Sequence, residues 1–335
     1  MFGLKFDCPV FPFLNRYIEL TAGTSLAAAN WLLKQHKATE SDIESLTTGT
    51  PELQKDTIGK DNNESQTQSS PTEQEPEEFN QPQQQQSIAL NWTGGRHHAH
   101  KSRASGFCYI NDIVLSILTL RTKYPKIMYI DLDLHHGDGV ANAFKFSDSV
   151  LTFSLHRLDQ GFFPGTGKTP KTGFGKGRGK EINFPTLKGF SDDSFRWVLQ
   201  NVVAELISQF KPACLVIQCG GDGLCSDSDF SEWNVTVKGY GSALLELVES
   251  YGGPCLFVGG GGYNSLETSK LWCYLTGLMV GGLEMCNDWD LIPDSVDEEL
   301  IGFQEFEFWC YDKASNMKDL NTEEYLSSVR DRILR

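Results

Sequence analysis

The stretch Ile127-Met128-Tyr129-Ile130-Asp131-Leu132-Asp133-Leu134-His135-His136-Gly137-Asp138-Gly139 decides the reading of this sequence. Its first half is an apolar run of strand length, and its second half turns abruptly to acids, histidines and glycines. Side chains alternate along extended backbone, so Asp131, Asp133 and His135 can converge on one side. Three such groups are not buried together unless protonated, paired or neutralised by a cation, and a divalent metal does this directly. Oxygen and imidazole donors suit zinc or another borderline divalent ion, and a catalytic site needs about three protein ligands with an open position. Only two of these groups are expected to reach one ion from this strand. Asp222 is the best candidate for the third, because it follows the apolar run Cys214 to Cys219 through the Gly220-Gly221 turn. Helix capping or solvent exposure explains any one of these carboxylates but accounts poorly for the cluster.

Working outward, short apolar runs alternate with helical stretches. Strands are predicted over Ile127 to Leu132, Val150 to Leu155, Cys214 to Cys219 and Cys255 to Val258. Helices are predicted around Asn111 to Lys123, Ser194 to Phe210, Lys238 to Ser250 and Leu266 to Met279. Strands too apolar for a solvated face, in that rhythm, indicate an α/β fold with a mainly parallel sheet, whose sites lie at the C-terminal strand ends. Near the start, Leu26, Ala27, Trp31 and Leu33 give an apolar side to a helix from Thr24 to His36, with Thr24 as its cap. Residues 39–86 are polar, poor in aromatics and end in four glutamines, which reads as a disordered insertion; order resumes at Ser87 to Leu90.

Three further stretches carry chemistry. In Trp92-Thr93-Gly94-Gly95-Arg96-His97-His98-Ala99-His100, adjacent histidines can present both rings to one cavity, although a surface histidine tract reads similarly. Each ring needs an orienting partner to act as a base, and Asp131 and Asp138 are the carboxylates left over. Gly259-Gly260-Gly261-Gly262-Tyr263-Asn264 follows an apolar strand and delivers Tyr263 to the sheet end. No Walker Lys-Ser/Thr pair follows it, so a phosphate loop is the weaker reading. A tyrosine hydroxyl there can hold a developing oxyanion. In Ser154 to Gly167, Phe163 together with Phe107 can flank an apolar channel, although either alone is more often a core aromatic. The run Lys168, Lys171, Lys176, Arg178 and Lys180 reads as a solvated loop.

Composition sets bounds. With 335 residues, 39% of them hydrophobic, the chain can bury a large core. A net charge of -15 excludes an unspecific grip on nucleic-acid phosphate. Nine cysteines without a CxxC pair read as buried thiols in a reducing compartment. No apolar run is long enough to span a membrane and no signal peptide opens the chain, so the sequons at Asn91 and Asn234 are expected to be bare.

Taken together, WTGGRHHAHKSRASGFCYIND (92–112), YIDLDLHHGDGV (129–140), SLHRLDQGFFPGTG (154–167) and GGGGYN (259–264) resemble the zinc-dependent histone deacetylases, class I type. The likeness covers residues 1–36 and 87–281. It implies an arginase/deacetylase-like three-layer fold, here expected to lack its N-terminal elements because the chain opens at the family's Asp-Cys-Pro loop, Asp7 to Pro9. It also implies one catalytic domain (1–38 and 87–315), interrupted by the insertion and followed by a C-terminal tail (316–335).

By the same resemblance, the metal ligands are Asp133, His135 and Asp222, holding Zn2+ or Fe2+ in its place. His97 and His98 form the acid/base pair, backed by Asp131 and Asp138, and Tyr263 binds the acetyl oxygen. Gly106, Phe107 and Phe163 line the acetyl-lysine tunnel, and Asp7 holds substrate backbone at its mouth. A structural K+ is expected at Asp131, Asp133, His135, Ser154 and Leu155. The implied partners are an acetylated protein substrate and a corepressor or chromatin complex in the nucleus, with some enzyme in the cytoplasm, and no nucleic acid or membrane. Asp7-Cys8-Pro9-Val10-Phe11, Cys219 to Leu224 and the insertion resemble the minor fungal class I-like branch, which adds the acetylated cohesin ATPase subunit to histone tails as a substrate. Two departures from the family stand out: Gly221 replaces an alanine before Asp222, and Ser228-Asp229-Phe230 puts charge where an apolar rim residue is usual. A polyamine amidohydrolase and a noncatalytic subunit of the same fold are the competing readings.

Overall fold

The computed structural model describes residues 2–48, 86–227, 232–292 and 307–335. Strands β1 (Ile88–Asn91), β2 (Ile127–Asp131), β3 (Val150–Arg157), β4 (Lys171–Thr172), β5 (Glu181–Thr186), β6 (Cys214–Gln218) and β7 (Cys255–Val258) form one sheet in the order β1-β7-β6-β2-β3-β5-β4. All pairings are parallel except β4 with β5. The predicted strands stand within a residue or two of their expected bounds, as the apolar runs require.

Alternation along β2 assigns its side chains to two cores. Met128 and Ile130 face helices α4 (Asp192–Val198), α5 (Ala204–Phe210), α6 (Val237–Tyr251) and α7 (Ser265–Met285), while Ile127 and Tyr129 face α1 (Leu14–Thr48), α2 (Asp112–Leu120) and α3 (Asp138–Phe144). The result is a three-layer α/β architecture whose sheet is buried on both faces, which is why its strands read as continuous apolar runs.

Four local expectations are corrected. Helix α1 begins at Leu14 and runs to Thr48, so Thr24 lies inside it and donates back to Leu20 O at 3.1 Å instead of capping it. Its packed side is Ser25, Ala29 and Leu32, joined by Leu33 as expected, with Trp31 exposed. A polar anchor sets that face: Ser25 Oγ donates to the buried Asp112 at 2.5 Å and accepts from Asn91 Nδ2 at 2.7 Å. The expected insertion therefore starts inside a helix, and its last residue, Gln86, is tied down by a bond from Nε2 to Gly253 O at 2.8 Å. Residues 49–85 lie outside the described residues, as do Ser228, Asp229 and Phe230. The predicted helix over 194–210 is interrupted by a π-helical turn, Leu199–Val203.

Strand β5 was not foreseen because Asn183 and Pro185 break its apolar pattern. Strand β4 pairs only with Glu181 and Ile182, so among the described residues Pro185 has no partner strand on that side and its missing N–H breaks no ladder bond. Part of the expected basic loop, Lys171–Thr172, is that edge strand. The C-terminal tail is also more than a tail: α8 (Glu323–Leu334) buries Leu326, Val329 and Ile333 in the core beside β5 and the π-helical turn.

Candidate active site

The register lines up four strand ends. Asn91 pairs with Val258, Val258 with Gln218, and Gln218 with Asp131. The chain leaves β2 in one direction toward β3 and β5, then returns to lay β6 on the other side of β2. Between β2 and β6 the winding reverses, and such a switch point leaves a crevice beyond the carboxyl ends of the strands. Each predicted motif leaves one of these ends: the histidine pair after β1, the acidic stretch after β2, Asp222 after β6 and Tyr263 after β7.

In that crevice, ligand atoms of Asp133, His135 and Asp222 all lie within 4.8 Å of one another. His135 Nδ1 is 2.9 Å from Asp222 Oδ2 and 3.2 Å from Asp133 Oδ1. Asp133 is held further by Gln218 Nε2 at 2.7 Å and by Gly261 N–H at 2.8 Å, both on Oδ2. Leu134 N–H fixes Asp222 at 3.0 Å. Burial raises the pKa of both carboxylates, the neighbouring imidazoles His97 and His135 pull Asp133 well below the carboxylate range, and the charge of Asp133 keeps Asp222 raised. Two buried carboxylates this close form a donor set that a divalent cation neutralises, and O, N, O donors fit zinc or iron. Asp131 does not join them. Its Oδ2 accepts from Tyr129 OH at 2.6 Å and lies 2.9 Å from His97 Nδ1.

The two histidine rings lie 3.9 Å apart. His98 Nδ1 is 2.8 Å from Asp138 Oδ1, and the other oxygen of Asp138 is 3.2 Å from His100 Nε2. Burial lowers the pKa of both rings. For His97 the carboxylates of Asp131 and Asp133 outweigh burial and raise it to about 9, whereas for His98 the charge of His97 adds to burial and lowers it to about 4. The same surroundings thus push adjacent residues in opposite directions, His97 toward the cation and His98 toward the free base.

A channel of about 200 Å³, lined by Asp7, Gly106, Phe107, Phe163 and Tyr263, opens onto His98 and His135. The Phe107 and Tyr263 ring centroids are 6.1 Å apart, and Phe163 stands edge-on to His98 at 4.8 Å. Asp7 Oδ2 accepts from Gly106 N–H at 2.6 Å, tying the N-terminal loop to the channel wall. The residues expected around potassium are neighbours: Asp131 and Ser154 are partners across β2 and β3, and Leu155 follows on β3.

A match to the histone deacetylase domain extends over residues 2–279. The chain belongs to the histone deacetylase family. It is 40% identical over 332 residues to histone deacetylase 1 of Homo sapiens, covering 99% of this chain and 57% of that protein. It is 36% identical over 332 residues to histone deacetylase HDAC1 of Drosophila melanogaster, covering 99% of this chain and 52% of that protein. Histone deacetylase 8 of Xenopus laevis is 47% identical over 194 residues, 58% of this chain and 59% of that protein. The chain thus spans a little over half the length of the curated relatives it matches.

Within this family fold, several supporting residues escape sequence reasoning. Asp227 accepts the backbone N–H groups of both Tyr263 and Asn264, yet it sits in an acidic, serine-rich run that reads as solvent-facing. Phe162 stacks flat on His135 with centroids 5.0 Å apart, a contact made across the crevice that no local pattern signals. Gln218 had a signal, as a lone amide ending the apolar run Cys214 to Ile217.

Proposed function

We propose that this chain acts, as a single catalytic domain, as a zinc-dependent protein lysine deacetylase that hydrolyses N6-acetyl-lysine to lysine and acetate. The observation that carries this reading is the gathering of Asp133, His135 and Asp222 where a channel walled by Phe107 and Phe163 meets the histidine pair. A Zn2+ ion, or Fe2+ in its place, held by those three residues supplies Lewis-acid polarisation of water and of the acetyl carbonyl. The remaining chemistry belongs to side chains. With Nδ1 engaged by Asp138, neutral His98 keeps Nε2 as the base that takes the water proton. Tyr263 donates its hydroxyl to the oxyanion that develops on the acetyl oxygen. His98 then returns a proton to the lysine nitrogen, with the cationic His97 lending charge beside it.

In this reading Phe107 and Phe163 enclose the aliphatic stem of the substrate, Gly106 lets it pass, and Asp7 meets the peptide backbone at the mouth. The region of Asp131, Asp133, His135, Ser154 and Leu155 offers mostly oxygen donors for a structural K+. A histone tail or the acetylated cohesin ATPase subunit is the substrate, the latter supported by the likeness to the fungal branch. A corepressor or chromatin complex in the nucleus, with a cytoplasmic fraction, is the setting.

The test is a deacetylation assay on acetyl-lysine peptides from both substrates beside an acetylpolyamine. Turnover of at least one peptide that is abolished by chelation and restored by zinc is the expected result. Turnover of the polyamine alone, or stoichiometric metal without turnover, sinks the proposal.

A further inference from the structure

A second cavity, of about 180 Å³, adjoins the channel. It shares His98, His135 and Tyr263 with it and extends past Arg96, Cys108 and Gly260. Water takes about 30 Å³ per molecule in the liquid, so this space exceeds what the three heavy atoms of an acetyl group fill. Among the described residues of the lining, Arg96 is the only arginine or lysine. Its position is built in: the N–H groups of Gly95 and Arg96 donate to the fully buried Asp112 at 3.0 and 2.8 Å. Its guanidinium Nε is buried and has no hydrogen-bond partner among the described residues. Arg96 as a whole is only partly buried, but its buried Nε–H without an acceptor still requires a reason, and a ligand that brings the acceptor is one. The acid facing the same space does not serve, because both Asp133 oxygens are taken by His135, Gln218 and Gly261.

We propose that Arg96 makes this chamber a carboxylate site, and that the chain therefore also hydrolyses lysine acylated by a short dicarboxylic acid, with succinyl-lysine as the probe. The inference rests on the deacetylase reading. The guanidinium fork matches a carboxylate and fixes the far end of the acyl chain while its amide carbon lies at the histidine pair. The amide C–N bond breaks, the oxygen of water joins the acyl carbon, the water proton goes to the departing lysine nitrogen, and lysine and succinate result. Acetate released from acetyl-lysine carries the same chemical group, so the experiment separates the two sources.

Peptides of one sequence bearing acetyl-, butyryl- or succinyl-lysine are compared on the full chain, on Arg96→Met and on Arg96→Lys. Butyryl has the length of succinyl without its charge. The wild type is expected to turn over the succinyl peptide, with the succinyl-to-butyryl ratio of kcat/KM falling at least about tenfold in Arg96→Met and partly recovering in Arg96→Lys. An unchanged ratio, or wild-type turnover of acetyl but not succinyl peptide, overturns the proposal. So does a result in which Arg96→Met relieves inhibition by free acetate and leaves that ratio alone. If no peptide is turned over, the deacetylase reading fails instead. Saturation-transfer NMR with free succinate then decides the carboxylate site: binding to wild type but not to Arg96→Met supports it, and binding to neither overturns it.

Discussion

Asp227 holds Tyr263 by its backbone: one carboxylate oxygen accepts the N–H of Tyr263 at 2.6 Å and that of Asn264 at 3.0 Å. The tyrosine side chain is half-exposed, so little packing fixes it. Its place depends on this buried acid and on the glycines before it. Replacing Asp227 with Ala frees that turn. We expect kcat to fall by about 100-fold, since misplacing a catalytic group by about 1 Å costs that much, with KM and metal content changing less. Asp227→Asn, which keeps one acceptor oxygen, should recover part of the loss. Steady-state kinetics on the three proteins check this.

Tyr263→Phe removes only the hydroxyl. Loss of one oxyanion donor lowers kcat by about 100- to 1,000-fold. Metal stoichiometry should stay at the wild-type value, and a variant that keeps full kcat would remove Tyr263 from the reaction.

Gln218 should govern metal affinity without being a ligand. It donates to Asp133 at 2.7 Å while its own Oε1 accepts from Gly220 N–H at 3.0 Å, so it orients the carboxylate from behind. Gln218→Ala should weaken zinc binding by about 10- to 100-fold, and Asp222→Asn should weaken it further. Competition with a chromophoric chelator measures both. In the wild type, saturating zinc at about 100 times its Kd adds about 2.7 kcal/mol of stability, which denaturation with and without chelator reads out.

Gly106 is where a side chain cannot be added. Its φ is +54°, and a Cβ there would lie 2.4 Å from His98 Cδ2. Gly106→Ala therefore combines left-handed backbone strain with displacement of the His98 ring. Activity should fall by about 100-fold while zinc is still bound, as judged by kinetics and elemental analysis.

Acid sensitivity should come partly from the clasp at the C-terminal segment. Asp319 accepts from Ser191 Oγ and Ser194 Oγ at 2.6 Å each and from Asn321 N–H at 2.7 Å, joining residues before α8 to the start of α4. Burial raises its pKa, but these donors outweigh it, so the folded-state value lies below the ordinary 3.8. A depressed carboxylate pKa contributes stability that is present above the unfolded value and lost as pH falls through the folded one. Asp319→Asn should cost about 1–3 kcal/mol at pH 7. The gap to wild type should narrow below about pH 3.9 in urea titrations.

Much of the cluster was legible because its residues are carried by short patterns. Asp133 and His135 are two residues apart on extended chain, His97 and His98 are adjacent, and Tyr263 follows a glycine run; these are local facts. The supporting residues were not legible for the same reason. Asp227 reaches Tyr263 across 36 positions and Gln218 reaches Asp133 across 85, and no periodicity encodes such pairs. The buried side of α1 was misread because a polar contact, Ser25 to Asp112 across 87 positions, orients it.

By itself, the sequence determined the chemical identities: four apolar strands of a parallel sheet, the motifs at their ends, and acids and imidazoles too concentrated to be buried without a cation. Tertiary structure decided the partnerships. It paired Asp131 with His97 and left Asp133, His135 and Asp222 together, because sheet order sets β6 beside β2 and register levels their ends. Strand identity follows from residue-by-residue burial, a local property, whereas strand order follows from how the crossovers pack, which no short stretch contains.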